Sequence, residues 1–404
     1  MSNAILHIKD SYYFEVPKAL APSRKEHASQ FPNYWIKLDP DFQDWQAEQL
    51  LEQSPLNSID LPVSNAKLIA EYKAWRSEDA NFAKPFYRFL SEADSQEWFH
   101  EKLEDPAFKR AWDSTVASLK GDAGDALVDN YLVDHDWSEA KIADYNHQLS
   151  GKLVIPQPFG ELRNHYAMES GIGISKYMIL LTVGALIVFY LCRRAGQMLL
   201  DGRKSRVTSM IEVFLEFIRD QIAKPTIGEK DAQRFVPFLW TLFLFILVMN
   251  LLGMIPFLGA PTASFAVTTS LALLVICVTI GSGIKRFGLV GFLKNQVPGM
   301  DLHWLIALFI IPMIWVIEVL GFFIKHAVLS VRLLANMVAG HLVLLALMGI
   351  AVSAAGAWTW WVAAPLSIFG AVAISCLELF VAFLQAYVFT FLSGLFIGAA
   401  IHHH

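Results

Sequence analysis

Cysteine is scarce: the 404 residues hold three, Cys192, Cys277 and Cys376. All three fall in apolar stretches, so no disulfide framework is expected. The phosphate-cradling pattern GxxxxGK[ST] is absent from the chain, which excludes nucleotide chemistry through that loop. The opening, MSNAILHIKDSYYFEVPKAL, has no apolar run and holds Asp10 and Glu15, unlike a secretory signal. It also lacks the Arg-rich, acid-poor look of a mitochondrial transit peptide. The histidines of the first part, His7, His27, His100, His135, His147 and His165, are scattered and form no metal constellation, and His402–His404 are read as no metal site either. No cofactor and no nucleic-acid partner are expected of a chain with a net charge of −5.

The charge that is present is divided unevenly. Residues 1–172 carry 17 Lys+Arg against 28 Asp+Glu, whereas 173–404 carry 15 against 9. The first part reads as a soluble acidic domain and the second as a polytopic membrane domain. The acidic part holds six tryptophans, Trp35, Trp45, Trp75, Trp98, Trp112 and Trp137, and 97–119 sets Phe108, Trp112, Val116 and Leu119 at helical spacing. Breaks near 54–62, Gly121–Gly124 and Ile155–Gly160 imply short helices joined by loops, a small and mostly helical module. Its function is not legible.

Long apolar runs dominate the remainder. The first span is placed at about 174–192, and a polar stretch with Arg193, Arg194, Arg203, Lys204 and Arg206 follows. Over 207–222, Val207, Met210, Ile211, Phe214, Phe217, Ile218 and Ile222 share one helical face and charges fill the rest, which predicts an amphipathic helix lying in the interface. Further spans fall at about 235–257 and 262–284. Lys285, Arg286 and Lys294 come next, so the positive-inside rule puts 193–234 and 285–302 on the cytoplasmic or matrix side. Five spans then leave the acidic domain outside and the C-terminus inside. A continuous helix over 303–353 extends about 75 Å, against a hydrocarbon core of about 30 Å. The last run, 362–400, is also overlong. The fold class is therefore all-α: five membrane-embedded helices, two of them long, tilted and antiparallel, with one interfacial helix and a helical soluble domain.

Arg332 lies inside the longest run. An arginine cannot shed its proton to escape burial, and at bilayer depth it costs roughly 2.5–3.5 kcal/mol on insertion scales. Such a group points to charge or ion movement. Glu318, Lys325 and Arg332 are spaced by seven and share a face, which Asn336 stays near. Glu318 lies about 21 Å along the axis from Arg332, and His341 roughly 13 Å the other way. On the last helix Glu378 and Gln385 are again seven apart. Antiparallel pairing that levels Gln385 with Arg332 brings Glu378 to the depth of His341. The pattern is one titratable pair toward the outside, a fixed positive charge between, and a carboxylate toward the inside. Lys325 is most simply a snorkelling lysine and His303 an interfacial residue.

Three segments carry a family resemblance: RLLANMVAGH at 332–341, LELFVAFLQAYVFTFL at 377–392 and NLLGMIP at 250–256. Over residues 173–401 the chain resembles subunit a of the membrane Fo sector of F-type ATP synthases. The resemblance implies that Arg332 faces a rotating ring of c subunits. It implies that Asn336, His341, Glu378 and Gln385 line a half-channel from the outside, and Glu318 one to the inside. His341 and Glu378 stand in the order of mitochondrial members, whereas many bacterial members exchange the acid and the histidine. The implied partners are the c-ring, b-type subunits of the peripheral stalk, other subunits of the complex and the lipid bilayer. The implied setting is a bacterial inner membrane or, alternatively, a mitochondrial inner membrane, with catalysis on other subunits. The acidic part departs from the family, whose N-terminal tails are usually short. Two rivals remain: a secondary transporter holding an anionic substrate at Arg332, and a membrane-anchored binding protein. The first lacks a convincing internal repeat, and the second leaves the arginine unexplained.

Overall fold

The structure, a computed structural model, describes residues 9–78, 81–135, 137–200, 206–255, 258–294, 304–356 and 358–402. Expectations placed on His7, Arg203, Lys204, Pro256, His303, His403 and His404 lie outside the described residues. The chain divides into two compact units, Ser11–Lys176 and Met1–Asp10 with Tyr177–His404.

The first unit is mostly helical, as expected, with α1 (Asn33–Ile36), α2 (Pro40–Glu52), α3 (Asn65–Arg76), α4 (Phe86–Glu92), α5 (Glu97–Leu103), α6 (Pro106–Ser118), α7 (Gly121–Asp134) and α8 (Glu139–Leu149). Helices α2 and α6 start alike: Asp39 and Asp105 cap them through side-chain oxygens, each followed by a proline at the first helical position. The break expected at Gly121–Gly124 falls at 119–120, between the end of α6 and Gly121, which opens α7. The spacing seen in 97–119 holds, since Phe108, Trp112 and Leu119 are buried together with Phe99. Two short antiparallel ladders were not anticipated: β1 (Tyr13–Glu15) with β2 (Lys152–Val154), and β3 (Gly160–Asn164) with β4 (Ala167–Gly171). Asp39, fully buried, also pairs with Lys141 at 2.6 Å and accepts from the Tyr145 hydroxyl at 3.1 Å, which ties α8 to the start of α2.

Among the described residues five helices are long and apolar enough to cross a membrane: Lys176–Arg194, Glu229–Gly253, Phe265–Leu293, Phe309–Ser353 and Trp360–Ile401. They belong to α9 (Lys176–Leu200), α12 (Glu229–Gly253), α13 (Phe265–Lys294), α14 (Trp304–Ser353) and α15 (Trp360–Ile401); α10 (Arg206–Phe217) and α11 (Lys224–Ile227) lie between the first two. The overlong run is one helix of 50 residues despite Pro312, and α15 adds 42. The chain is thus an all-α polytopic membrane protein with a second, smaller unit that is mostly helical.

The amphipathic segment behaves differently from expectation. A π-helical turn at Ile218–Ala223 joins α10 to α11. Ile218, Ile222, Ala223 and Ile227 are fully buried in the same core as Leu239, Phe243, Phe389 and Ile397. Phe214 lies 5.8 Å from Phe243 and Phe217 5.8 Å from Tyr387, ring to ring. The apolar face is therefore spent largely on α12 and α15 rather than on lipid. The physical reason is close approach, which small residues permit between helices in membranes. A Cβ at Gly398 would stand 2.0 Å from the carbonyl oxygen of Thr226.

The basic segments come together at one end. Arg286 on α13 pairs with Asp231 on α12 at 3.1 Å. The ring of His402 approaches the Ile227 carbonyl at 2.8 Å, so the end of α15 returns to the same place.

Candidate functional site

The register of α14 against α15 decides which polar groups meet. A Cβ at Gly340 would lie 2.0 Å from Oε1 of Glu378, so the carboxyl rests on the bare backbone there. Further along, the His326 ring lies 4.3 Å from that of Phe396. In the other direction a Cβ at Gly370 would meet Leu347 at 3.4 Å. The helices thus run antiparallel, and His341, next to Gly340, is level with Glu378. Arg332 is eight residues back from Gly340, about 12 Å along the axis, which brings it level with Gln385 and Ala386. Glu318 falls level with the C-terminal end of α15 by the same count. The depths expected from spacing hold.

Each face of α14 has its own character. His326, Leu329, Ser330 and Leu333 are buried against the bundle. Glu318, Lys325 and Asn336 are exposed on the opposite side, with Arg332 half-buried among them. Among the described residues Arg332 has neither an ion-pair nor a hydrogen-bond partner. A permanent cation is thus held at the edge of an apolar helix pair, with its open side free for an outside group.

Toward the other end His341 and Glu378 are half-buried, each with one atom out of reach of solvent. Nε2 of His341 and Oε1 of Glu378 are inaccessible and have no hydrogen-bond partner. Gln385 is 6% exposed. Buried polar atoms cost free energy unless paired, so these two unpartnered atoms set the pair apart from the apolar surface around it. A cavity of about 610 Å³ opens beside them, lined by Met254, Met348, Ala371, Cys376 and Leu379 among others. Its walls are apolar except for Ser367 and Ser375, so by itself it is no water path.

One buried amide escaped the sequence reading as a site residue. Asn250 on α12 is 2% exposed, and its Nδ2 donates to the Ala382 carbonyl at 3.3 Å. Its Oδ1 is buried without a partner. Ala382 lies between Glu378 and Gln385, so Asn250 adds a third helix to the same constellation. The available signal is a lone amide within the apolar run 235–257. His326 was also passed over. It is fully buried with Nδ1 2.8 Å from the Phe322 carbonyl and an unpartnered Nε2. Ser330, on the same buried face, bonds Thr268 at 3.1 Å and Thr269 at 3.3 Å. Among the described residues no cluster of His, Cys, Asp and Glu could hold a metal ion.

The sequence profile of a family described as ATP synthase A chain matches residues 176–398, more than half of the chain. The chain belongs to the ATP synthase A chain family. An ATP synthase subunit a from Anaeromyxobacter dehalogenans strain 2CP-1 is 46% identical over 200 residues, 48% of this chain and 49% of the relative. An ATP synthase subunit a 2 from Chlorobaculum tepidum is 37% identical over 264 residues, 64% and 72% of the two chains. Another subunit a 2, from Chlorobium luteolum, is 34% identical over 307 residues, 75% and 83%. The chain thus spans about half the length of the Anaeromyxobacter relative and most of the other two. A match over three quarters of the chain is longer than residues 173–404. It takes in part of the acidic unit, which is not wholly foreign to the family as the short-tail expectation had it. Membership in the ATP synthase A chain family disfavours the transporter and binding-protein readings.

Proposed function

We propose that the chain is the proton-conducting stator subunit a of an F-type ATP synthase in a bacterial inner membrane. The observation that carries this reading is Arg332: a permanent cation, unpaired, on the open face of a 50-residue apolar helix. Its natural complement is a carboxyl group presented from outside the chain, as by each subunit of a c-ring. A carboxylic acid travelling through lipid stays protonated, since burial disfavours its charged form. Beside the Arg332 guanidinium the ionised form wins, and the proton leaves along one path. It is regained from the other path before the ring subunit re-enters lipid.

Asn336, His341, Glu378 and Gln385, joined by Asn250, line the path from the outside. Glu318, about 21 Å along the axis from Arg332, marks the path to the inside. Arg332 bars direct passage between them, so proton flow is coupled to ring rotation. The chain itself makes and breaks no bond other than those to protons. Nucleotide chemistry belongs to other subunits of the complex, and b-type subunits of the peripheral stalk hold this one still.

Arg332→Ala abolishes proton-driven ATP synthesis while the protein stays inserted. Arg332→Lys fails too, because an ammonium can lose its proton at depth and lacks the planar fork. Synthesis in inverted membrane vesicles checks both, and a rate near wild type for either substitution sinks the assignment.

A further inference from the structure

The acidic unit ends on a patch without charge. Phe159 and Ile172 are each 73% exposed and Leu153 is 51% exposed. Phe159 and Ile172 are neighbours, since the Ile172 amide donates to the Phe159 carbonyl at 3.1 Å. Gly171 makes that approach possible: its φ is +78°, and a Cβ there would stand 2.2 Å from the Phe159 oxygen. The surrounding segments, LVIPQPFG at 153–160 and SGIGIS at 170–175, contain no Asp, Glu, Lys or Arg. In a sequence with 28 acidic residues over 1–172, two adjoining charge-free segments stand out, although Lys37, Asp125 and Glu161 line a cavity on one side of the first.

The same face is where the chain leaves for the membrane. Ile172 is four residues before Lys176, where α9 begins, so it lies within about 14 Å of that point however the strand runs. The strand is also held. Gln157 accepts from the Ile174 amide at 2.7 Å and donates to the Ile174 carbonyl at 3.0 Å. The Lys176 amide donates to the Ser11 carbonyl at 2.8 Å. The patch is thus fixed within its own unit, a short stretch of chain from the first residue of α9.

We propose that Phe159 and Ile172, with the uncharged segments around them, insert into the headgroup region of the phospholipid bilayer and seat the acidic unit on the membrane surface. Apolar and aromatic side chains favour that layer, and an uncharged face avoids the repulsion that anionic lipids exert on acidic surfaces. The proposal rests on the reading that the apolar helix from Lys176 spans the bilayer.

The test uses the full chain in vesicles of phosphatidylethanolamine and phosphatidylglycerol. Cys192, Cys277 and Cys376 are replaced by serine, and single nitroxide labels are placed through Phe159→Cys, Ile172→Cys, Val133→Cys and Val183→Cys. Val133, 82% exposed, is the aqueous reference, and Val183 within the span is the lipid reference. At Phe159 and Ile172 collisions with dissolved oxygen should exceed those with a water-soluble nickel chelate, giving a ratio between the two references. Ratios equal to that at Val133 overturn the proposal. Labels that are watery in vesicles and shielded from both reagents only in the assembled complex overturn it as well, since a protein then covers the patch. A water-like ratio at Val183 instead overturns the span on which the proposal rests.

Discussion

At the residue scale the outer path is a problem of orphaned polar atoms. His341 and Glu378 share a depth, and each has a buried atom without a partner. If both line one path, removing either leaves the other poorly hydrated, and the two are expected to conduct as one unit. Each single alanine variant is expected to impair passive proton conduction through the reconstituted sector, and the double variant to lose little more than the worse single one. Independent, multiplicative losses would argue against a shared path. Asn250 separates structure from conduction. Its one hydrogen bond to Ala382 is worth about 1 kcal/mol, and Asn250→Leu also removes an unpaired buried oxygen, so stability should change by no more than about that amount. Proton flow should nevertheless fall. A variant that conducts normally, by the same reconstituted assay, makes Asn250 a packing residue only. The difference in legibility between these residues is physical. Spacing on two antiparallel helices relates depths, so once Gln385 is set level with Arg332 the common depth of His341 and Glu378 follows from number. Whether an amide oxygen is left unpaired depends on a neighbouring helix, and no local pattern records it.

At the element scale, periodicity told long helices from everything else, and short elements were lost. The five spans were visible because each carries an apolar run about as long as a bilayer requires, or longer. The strands β1 to β4 are three to five residues long, and GELRN and AMESG do not alternate. Such ladders exist because the unit around them supplies packing, which sequence period does not show. Their junction is His165, in the turn between β3 and β4 and 6% exposed. Its ring lies 4.9 Å from those of Tyr13 on β1 and Trp35 on α1, and 3.2 Å from the Tyr34 hydroxyl. Burial, aided by the positive charge of Lys152, pushes its pKa down from 6.5 to about 3. The unfolded chain therefore binds a proton below about pH 6.5 that the folded unit refuses, and stability is lost progressively as pH falls toward about 3. The slope is about 1.4 kcal/mol per pH unit, or about 2 kcal/mol by pH 5. Pulse proteolysis of the full chain in detergent, across urea at about pH 7 and 5, should show this loss in the first unit. His165→Phe should flatten it, and an unchanged pH response in that variant would remove His165 as the cause.

At the scale of the whole molecule, the two halves of the charge distribution assign the sides of the membrane. Arg286 and Asp231 meet at one end of the bundle, and His402 meets Ile227 near it. The cationic segments before α12 and after the third span thus share an end with the last residues of α15. Positive segments stay on the cytoplasmic side, which makes that end the inner one. By that rule an odd number of spans is expected to carry the acidic unit, with 28 carboxylates against 17 basic residues in 1–172, to the outside, and protease access tests this. The same assignment orients the site, because Glu378 and His341 lie toward the end of the bundle away from Arg286, and Glu318 toward it. The side on which the acidic unit is found therefore decides the direction of both proton paths at once. A protease added to spheroplasts should cleave within 11–176 and spare the 206–228 segment. In inverted vesicles the pattern should reverse. Protection of the acidic unit in spheroplasts, with cleavage only in inverted vesicles, would turn the whole molecule over. Glu378 and His341 would then lie on the exit path, and Glu318 on the entry.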